Sequence, residues 1–290
     1  MIKLIGYTTT FNVEKIIDVV MPYVQFLGYD KFVVWDNQST DRTVEMLSKY
    51  PFVEIREWDT NGVFDDVKKR GLEIDAYVES REIANSTGDD VWMTFTDFDE
   101  VLYYFYDIKF KEYLNSLTQR EINCFYDVMI QPMLPKGYDE ETVRKFIADG
   151  NFPHEYDGVV VNHQYSKPIL FHVNSFANLY FVPGNHYALC EHDNVKNALP
   201  CPMSVFHFKY YFHDYGLEKN AEYKKRPIVI DGYSLLDENF IRRIYSSSYP
   251  MQIYLAEKWK SIDINDIYGG RLDSCWGKLV FKDKFYNQWK

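Results

Sequence analysis

A chain of 290 residues, 46% of them apolar, can bury a large core and lies far from the compositions of disordered proteins. Its formal charge of −11, from 43 acidic against 32 basic residues, excludes a nucleic-acid groove, which needs a basic stripe. The same negative field repels anionic ligands, so a phosphate site has to be built locally, by a metal ion, an arginine or a helix N-terminus.

Lys3–Tyr7 predicts a first strand, and the polar turn Thr8–Asn12 follows it. A helix then opens with Asn12 as its N-cap, carries Ile16, Ile17, Val20, Val24 and Leu27 at helical spacing, and ends at Gly28. Lys31–Trp35 reads as a second strand buried on both faces. After the loop Asp36-Asn37-Gln38-Ser39-Thr40-Asp41, with Ser39 or Thr40 as cap, comes a helix bearing Val44, Met46 and Leu47. Phe52–Trp58 predicts a third strand and Asp65–Thr87 a long helix stopped by Gly88. The apolar run from Val91 is a fourth strand that ends in Asp97, Asp99 and Glu100.

Strand and helix alternating in this way specify an open parallel sheet with right-handed crossovers. Ligands of such sheets bind outside the carboxyl ends of the strands. The loops at Thr8–Asn12, Asp36–Asp41 and Asp97–Glu100 all fall on that edge.

The pattern then changes. Ile122–Met133 reads as a strand, Asp139–Asp149 as a short helix, and Val159–Asn162, Ile169–Val173 and Asn178–Val182 as short antiparallel strands. Val205–Phe212 is a further strand or a strand-to-helix segment, and from Gly216 the spacing is mostly helical through Leu217–Arg226, Leu235–Tyr245 and Met251–Lys260. The expected fold class is therefore α/β. A mostly parallel sheet flanked by helices spans 1–105, a mixed-sheet half of the same domain spans 106–215, and a helical extension spans 216–290.

Residues i and i+2 of an extended chain point the same way, so Asp97 and Asp99 converge on one point past the strand end. Two carboxylates that close repel unless a cation or a shared proton neutralises them, and a hard Mg²⁺ or Mn²⁺ suits oxygen ligands. Taken alone, such a pair also reads as a solvated acidic turn. His207, in Phe206-His207-Phe208, suits either a core or a metal-facing position, and Asp36 either a cap or a ligand contact. The four cysteines show no C-x-x-C spacing and read as reduced thiols of a cytosolic protein. No run of 18 apolar residues predicts a membrane span, so membrane contact is at most peripheral. The basic, aromatic tail, Leu279–Lys290, suits either an anionic inner membrane face or a packed terminal helix.

Together, Thr8–Asn12, the D-N-x-S-x-D run from Asp36 to Asp41, Arg81 with Asn85 and Gly88, and Thr96-Asp97-Phe98-Asp99-Glu100 resemble the family-two glycosyltransferases of GT-A fold. The resemblance covers residues 1–105, thins around His186 and His207, and stops there. It implies a Rossmann-like sheet and a nucleoside-diphosphate sugar donor, a UDP-sugar in first place. By resemblance Asp36 bonds the base, while Thr8, Thr10, Asn12, Asn37, Asp41 and Phe98 belong to the nucleotide-binding motifs. Asp97 and Asp99 hold the metal and ribose, Arg81 closes the nucleotide pocket, and His207 completes the metal shell. Two departures stand out: no proline precedes the polar turn, and Asn37-Gln38 replaces the usual Asp-Gly.

Transfer to a hydroxyl acceptor, a saccharide or lipid-linked saccharide, is implied with inversion. The base falls to Glu191, with His186 facing the acceptor. Two other functions fit the same sheet. A sugar-nucleotide nucleotidyltransferase would need a Gly-rich basic loop after the first strand, which Thr8–Asn12 lacks; a non-catalytic binding module would not need both aspartates.

Overall fold

A computed structural model of the protein describes residues 1–104, 108–133, 158–181, 188–190, 203–208, 215, 218–219, 228–230, 233–234 and 252–255. Strand β1 (Ile2–Thr10) runs three residues further than its apolar part, because Thr8, Thr9 and Thr10 are β-branched and hold the extended conformation. The chain turns at Asn12, whose φ of 49° is left-handed, a conformation asparagine tolerates better than most residues. Helix α1 (Glu14–Leu27) therefore takes Val13, not Asn12, as its N-cap. It buries the expected apolar stripe and stops at Gly28, where φ of 73° favours a residue without Cβ.

Strand β2 (Lys31–Asp36), helix α2 (Thr43–Leu47), strand β3 (Val53–Glu57), the short β4 (Phe64–Asp65), helix α3 (Asp66–Thr87) and strand β5 (Asp90–Asp97) follow. Asp65 caps α3 by accepting the backbone N–H groups of Val67 and Lys68, and Gly88 closes it in the left-handed conformation. Gly6 has its own reason: a Cβ there would run into the rings of Phe32 and Tyr29, which lie across β1.

Beyond the acidic turn come β6 (Glu100–Tyr104), α4 (Phe110–Gln119), β7 (Cys124–Met133), β8 (Gly158–His172), β9 (Leu179–Phe181), β10 (Ala188–Cys190) and β11 (Met203–His207). Three short strands complete the described chain: β12 (Ile228–Ile230), β13 (Tyr233–Ser234) and β14 (Gln252–Leu255).

The main sheet runs β3-β2-β1-β5-β8-β7-β11-β6, with β14 added to β8. Its first four strands are parallel; β8 lies antiparallel to β5 and to β7, and the far side is mixed. Both halves of the chain thus share one sheet. Successive strands step from β1 outward to β3, then jump back to the other side of β1 at β5. That reversal leaves a crevice at the carboxyl ends of β1, β2 and β5.

Each face of the sheet is covered. On one side Leu4, Leu27, Trp92, Leu114, Leu117, Phe125 and Leu170 pack together. On the other, Tyr7, Trp35 and Phe95 lie against Ala76 and Tyr77 of α3, with ring centroids 5.6 and 6.1 Å apart along the row.

Several expectations change. The segments Val159–Asn162 and Ile169–His172 belong to one long strand, β8, paired with β7 through two register irregularities, and Val173 opens a short 3-10 turn. Residues 252–255 form β14 rather than a helix, because they find an open edge of β8. Helix α4 was not expected, although Phe110, Tyr113, Leu114 and Leu117 are spaced for one and are buried. The expected helix at 139–149 lies outside the described residues. Among the described residues no helix is long and apolar enough to cross a membrane.

Candidate functional site

The carboxyl ends of three parallel strands meet at the crevice. Thr10 of β1 is in register with Asp36 of β2, and Thr9 with Asp97 of β5. Because side chains alternate, Thr10 and Asp36 belong to the face that packs on α1, and Asp97 to the face that packs on α3.

The D-N-x-S-x-D run is tied down residue by residue. Asp36 is buried; its carboxylate accepts the Ser39 backbone N–H at 2.9 Å and the Ser39 hydroxyl at 2.5 Å. Ser39 Oγ in turn accepts the Asn12 backbone N–H at 2.9 Å, and Asn12 Oδ1 accepts the Thr40 N–H at 2.8 Å. Asn37 exchanges bonds with Thr60, donating from Nδ2 at 2.9 Å and accepting its backbone N–H at 3.2 Å. Asp41 accepts the N–H of Glu14 at the start of α1 and that of Thr43 at the start of α2, at 3.1 and 2.9 Å. The expected caps Ser39 and Thr40 are thereby replaced: Asp41 serves both helix N-termini, and Ser39 links Asp36 to Asn12.

Thr8 is fully buried two residues short of the edge, so it lines the interior rather than an open pocket. Thr10 differs. Its hydroxyl is buried opposite Asp36 and has no hydrogen-bond partner among the described residues. Leaving a buried hydroxyl unmade costs about 1–3 kcal/mol, which a ligand able to bond it would recover.

The acidic turn places its members differently. Phe98 is buried and anchors the turn between the two aspartates. Asp99 Oδ2 lies 3.4 Å from His207 Nε2, brought there because β11 pairs with β6 in a register that sets His207 against Glu100. The Asp99 carbonyl also accepts the Phe208 N–H at 2.7 Å. Glu100 is buried and its carboxylate accepts the Asp97 N–H at 3.2 Å. Asp97 itself forms an ion pair with Lys69, a buried lysine in the first turn of α3.

Sequence reasoning missed Lys69. The signal is structural: Lys69, Glu73, Ala76, Ser80 and Ala84 form the buried stripe of α3, and two charges on such a stripe require partners. Arg81, by contrast, does not come to this edge. Its guanidinium donates to the Val173 carbonyl at 3.0 Å, just past the end of β8, where β8 lies beside the beginning of β5. It sits twelve residues along α3 from Lys69, about 18 Å at 1.5 Å per residue. At that far edge His172 is also held, with Nδ1 2.7 Å from Ser175 Oγ and Nε2 3.2 Å from Asp90. Burial pushes the His172 pKa below its ordinary 6.5, and the Asp90 carboxylate opposes the shift without reversing it.

A segment from the chain's last third reaches the β1–α1 turn. Lys219 donates to the Phe11 carbonyl and lies 5.6 Å from the Phe11 ring centroid, and Lys15 pairs with Glu218 at 2.7 Å. Glu191 and His186 lie outside the described residues.

The donor chemistry fits a hard divalent ion at Asp99 and His207. A carboxylate oxygen and an imidazole nitrogen 3.4 Å apart match neighbouring ligands of an octahedral ion, roughly 3 Å apart for bonds near 2.1 Å. Among the described residues no group of three His, Cys, Asp or Glu side chains is disposed to hold a metal. Such ions commonly bind through one or two protein ligands plus substrate phosphates.

No protein-family model matches the chain, and no curated protein matches it. Among solved structures it is similar to a 4-diphosphocytidyl-2C-methyl-D-erythritol synthase, at 9% identity over 59% of this chain and 75% of that one, with a TM-score of 0.29. A superposition this loose bears on neither activity nor substrate.

Proposed function

We propose that the protein is a divalent-metal-dependent glycosyltransferase. It moves a sugar from a nucleoside-diphosphate sugar, a UDP-sugar in first place, to a hydroxyl of a saccharide or lipid-linked saccharide. The observation that carries this reading is the approach of His207 to Asp99 beside the strand crevice, with Asp36 and the Thr10 hydroxyl, which has no partner among the described residues, across β1. A nucleotidyltransferase is disfavoured because the β1–α1 turn, Phe11-Asn12-Val13, contains no glycine and no basic residue.

In this reading the base lies against Asp36 and Thr10, on the α1 side, and the diphosphate runs toward the acidic turn. Asp99 and His207 would hold Mn²⁺ or Mg²⁺, which supplies Lewis-acid neutralisation of the departing diphosphate. Asp97 bonds the ribose side, and Lys69 adds a fixed positive charge where negative charge builds up. Direct attack by the acceptor hydroxyl inverts the anomeric carbon and needs a base on the sugar's opposite side. Glu191 is proposed for that role and His186 for acceptor binding. Glu191→Gln should keep donor binding while kcat drops about 10²–10⁴-fold, the usual contribution of a general base. Normal turnover by Glu191→Gln with a dead His186→Ala would exchange the two roles.

A thermal-shift panel tests the donor class. UDP-sugars with Mn²⁺ should raise Tm more than GDP-, CMP- or dTDP-sugars, since only a ligand that prefers the folded state stabilises it. No shift with any sugar nucleotide would rule the proposal out.

A further inference from the structure

The amino ends of β1 and β5, opposite the crevice, carry a second group of polar side chains. Strand β8 runs antiparallel to β5 with His172 in register with Trp92, and the two rings lie 5.1 Å apart. The chain then makes one 3-10 turn, Val173–Ser175. That turn is fastened from several directions. Arg81 donates to the Val173 carbonyl at 3.0 Å and the Tyr77 hydroxyl to the Phe176 carbonyl at 2.8 Å. Asn174 accepts the Val91 N–H at 2.9 Å and donates to the Asp89 carbonyl at 3.0 Å. Ser175, exposed at the end of the turn, is therefore held on a rigid support.

The His172 imidazole links that hydroxyl to a carboxylate: Nδ1 lies 2.7 Å from Ser175 Oγ, and Nε2 3.2 Å from Asp90 Oδ1. Burial holds the ring neutral at pH 7, so it carries one N–H and one lone pair. The Asp90 carboxylate can only accept, which puts the proton on Nε2 and leaves Nδ1 to accept the Ser175 hydroxyl. Serine, imidazole and carboxylate thus have the polarity that removes a proton from the hydroxyl as it attacks. Arg81 adds a positive donor at the same turn. Among the described residues it has no carboxylate partner, so its other N–H groups are left for an oxygen that becomes negative.

We propose that Ser175, His172 and Asp90 form a second site, which hydrolyses neutral carboxylic esters. Ser175 Oγ attacks the ester carbonyl carbon and its proton passes to His172 Nδ1. The bond from that carbon to the alcohol oxygen breaks, the alcohol leaves with the proton from Nδ1, and the acyl group stays on Ser175. Water then attacks the acyl carbon, gives its proton to Nδ1, and the acyl–serine bond breaks as Oγ recovers that proton and the acid departs. Asp90 touches no substrate; it is a positioning residue that fixes the histidine tautomer. Asp89 and Asp90 at this edge, with the chain's charge of −11, repel an anionic ester, which makes a neutral one the fitting substrate. The site is independent of the sugar-nucleotide crevice at the opposite ends of the strands.

A fluorophosphonate probe and p-nitrophenyl acetate test it on the full chain. The probe should add once, and peptide mapping should place the adduct on Ser175. Ser175→Ala, a change at an exposed position, should take up no probe and lose the ester hydrolysis, while binding UDP as wild type does. His172→Gln should slow labelling by about 10²–10⁴-fold, the usual contribution of a general base. Asp90→Asn should slow hydrolysis by about 10²-fold at an unchanged half-saturating ester concentration, a split that a purely structural role would not produce. Circular dichroism checks that each variant is folded. No adduct, an adduct elsewhere, labelling of folded His172→Gln at the wild-type rate, or ester hydrolysis that survives in Ser175→Ala would overturn the proposal.

Discussion

Asp36 has two duties. Both of its oxygens accept from Ser39, so the carboxylate shapes the loop before any base arrives, and each oxygen keeps a second lone pair for a ligand. Asp36→Ala should weaken UDP binding by about 1.5–3 kcal/mol and loosen the loop as well. Ser39→Ala separates the two effects. It removes the hydroxyl shared by Asp36 and Asn12 and should cost about 1–2 kcal/mol of stability, read from urea midpoints, with a smaller change in UDP affinity. Equal losses of UDP affinity in both variants would mean that Asp36 acts only through the loop. The motif was legible as a string of polar residues. What it could not disclose was that Asn12 accepts from the Thr40 backbone, Asn37 bonds Thr60, Ser39 accepts from the Asn12 backbone and Asp41 from the Glu14 backbone, because hydrogen-bond partners across 23 to 28 residues leave no local pattern.

Helix α3 works at both ends, with different jobs. Its first turn delivers Lys69 to the acidic edge, while Arg81 fastens the far edge to the turn after β8. Arg81→Ala should therefore lower stability by about 1.5–3 kcal/mol, the loss of a charged bond, and leave UDP affinity unchanged. A large loss of UDP binding would restore Arg81 to the nucleotide pocket. Beside it, His172 makes the same edge sensitive to pH. Burial keeps the folded histidine neutral below 6.5, whereas the unfolded one takes up a proton there, so the unfolded state binds more protons and stability falls as pH drops. Urea midpoints should decline from about pH 6.5 towards 5, and His172→Gln should flatten that decline; an equal slope in both proteins would contradict it. Strands β1, β2 and β5 and helix α1 could be read from periodicity, because doubly buried strands and amphipathic helices write their burial into local order. Helix α3 was legible as a segment ending at Gly88 but not by its buried face, since Lys69, Glu73 and Ser80 are buried while Val67, Ile74 and Val78 are exposed. Strand β14 could not, since its conformation is set by the open edge of β8 some 90 residues earlier in the chain.

At the scale of the whole molecule, one sheet joins a parallel half that builds the crevice to a mixed half that brings His207 to it. The strand order explains why Asp99 and His207 meet although 108 positions separate them in sequence: β6 crosses to the far edge of the sheet and pairs with β11. Sequence spacing pointed to the carboxylates and to a late histidine, but not to Lys69, because a basic residue in a charged helix turn resembles a solvated one until its burial is known. The net charge of −11 makes the local cations decisive, as a diphosphate meets a repulsive average field everywhere else. Calorimetry of UDP binding therefore tests the central claim most directly, on wild type and on Asp99→Asn, each with Mn²⁺ and with EDTA. Wild type should bind UDP in Mn²⁺ and lose that binding in EDTA, while Asp99→Asn should bind poorly in both. Equal wild-type affinity in Mn²⁺ and EDTA, or an Asp99→Asn variant that binds as well as wild type, would contradict a metal-held diphosphate at this edge.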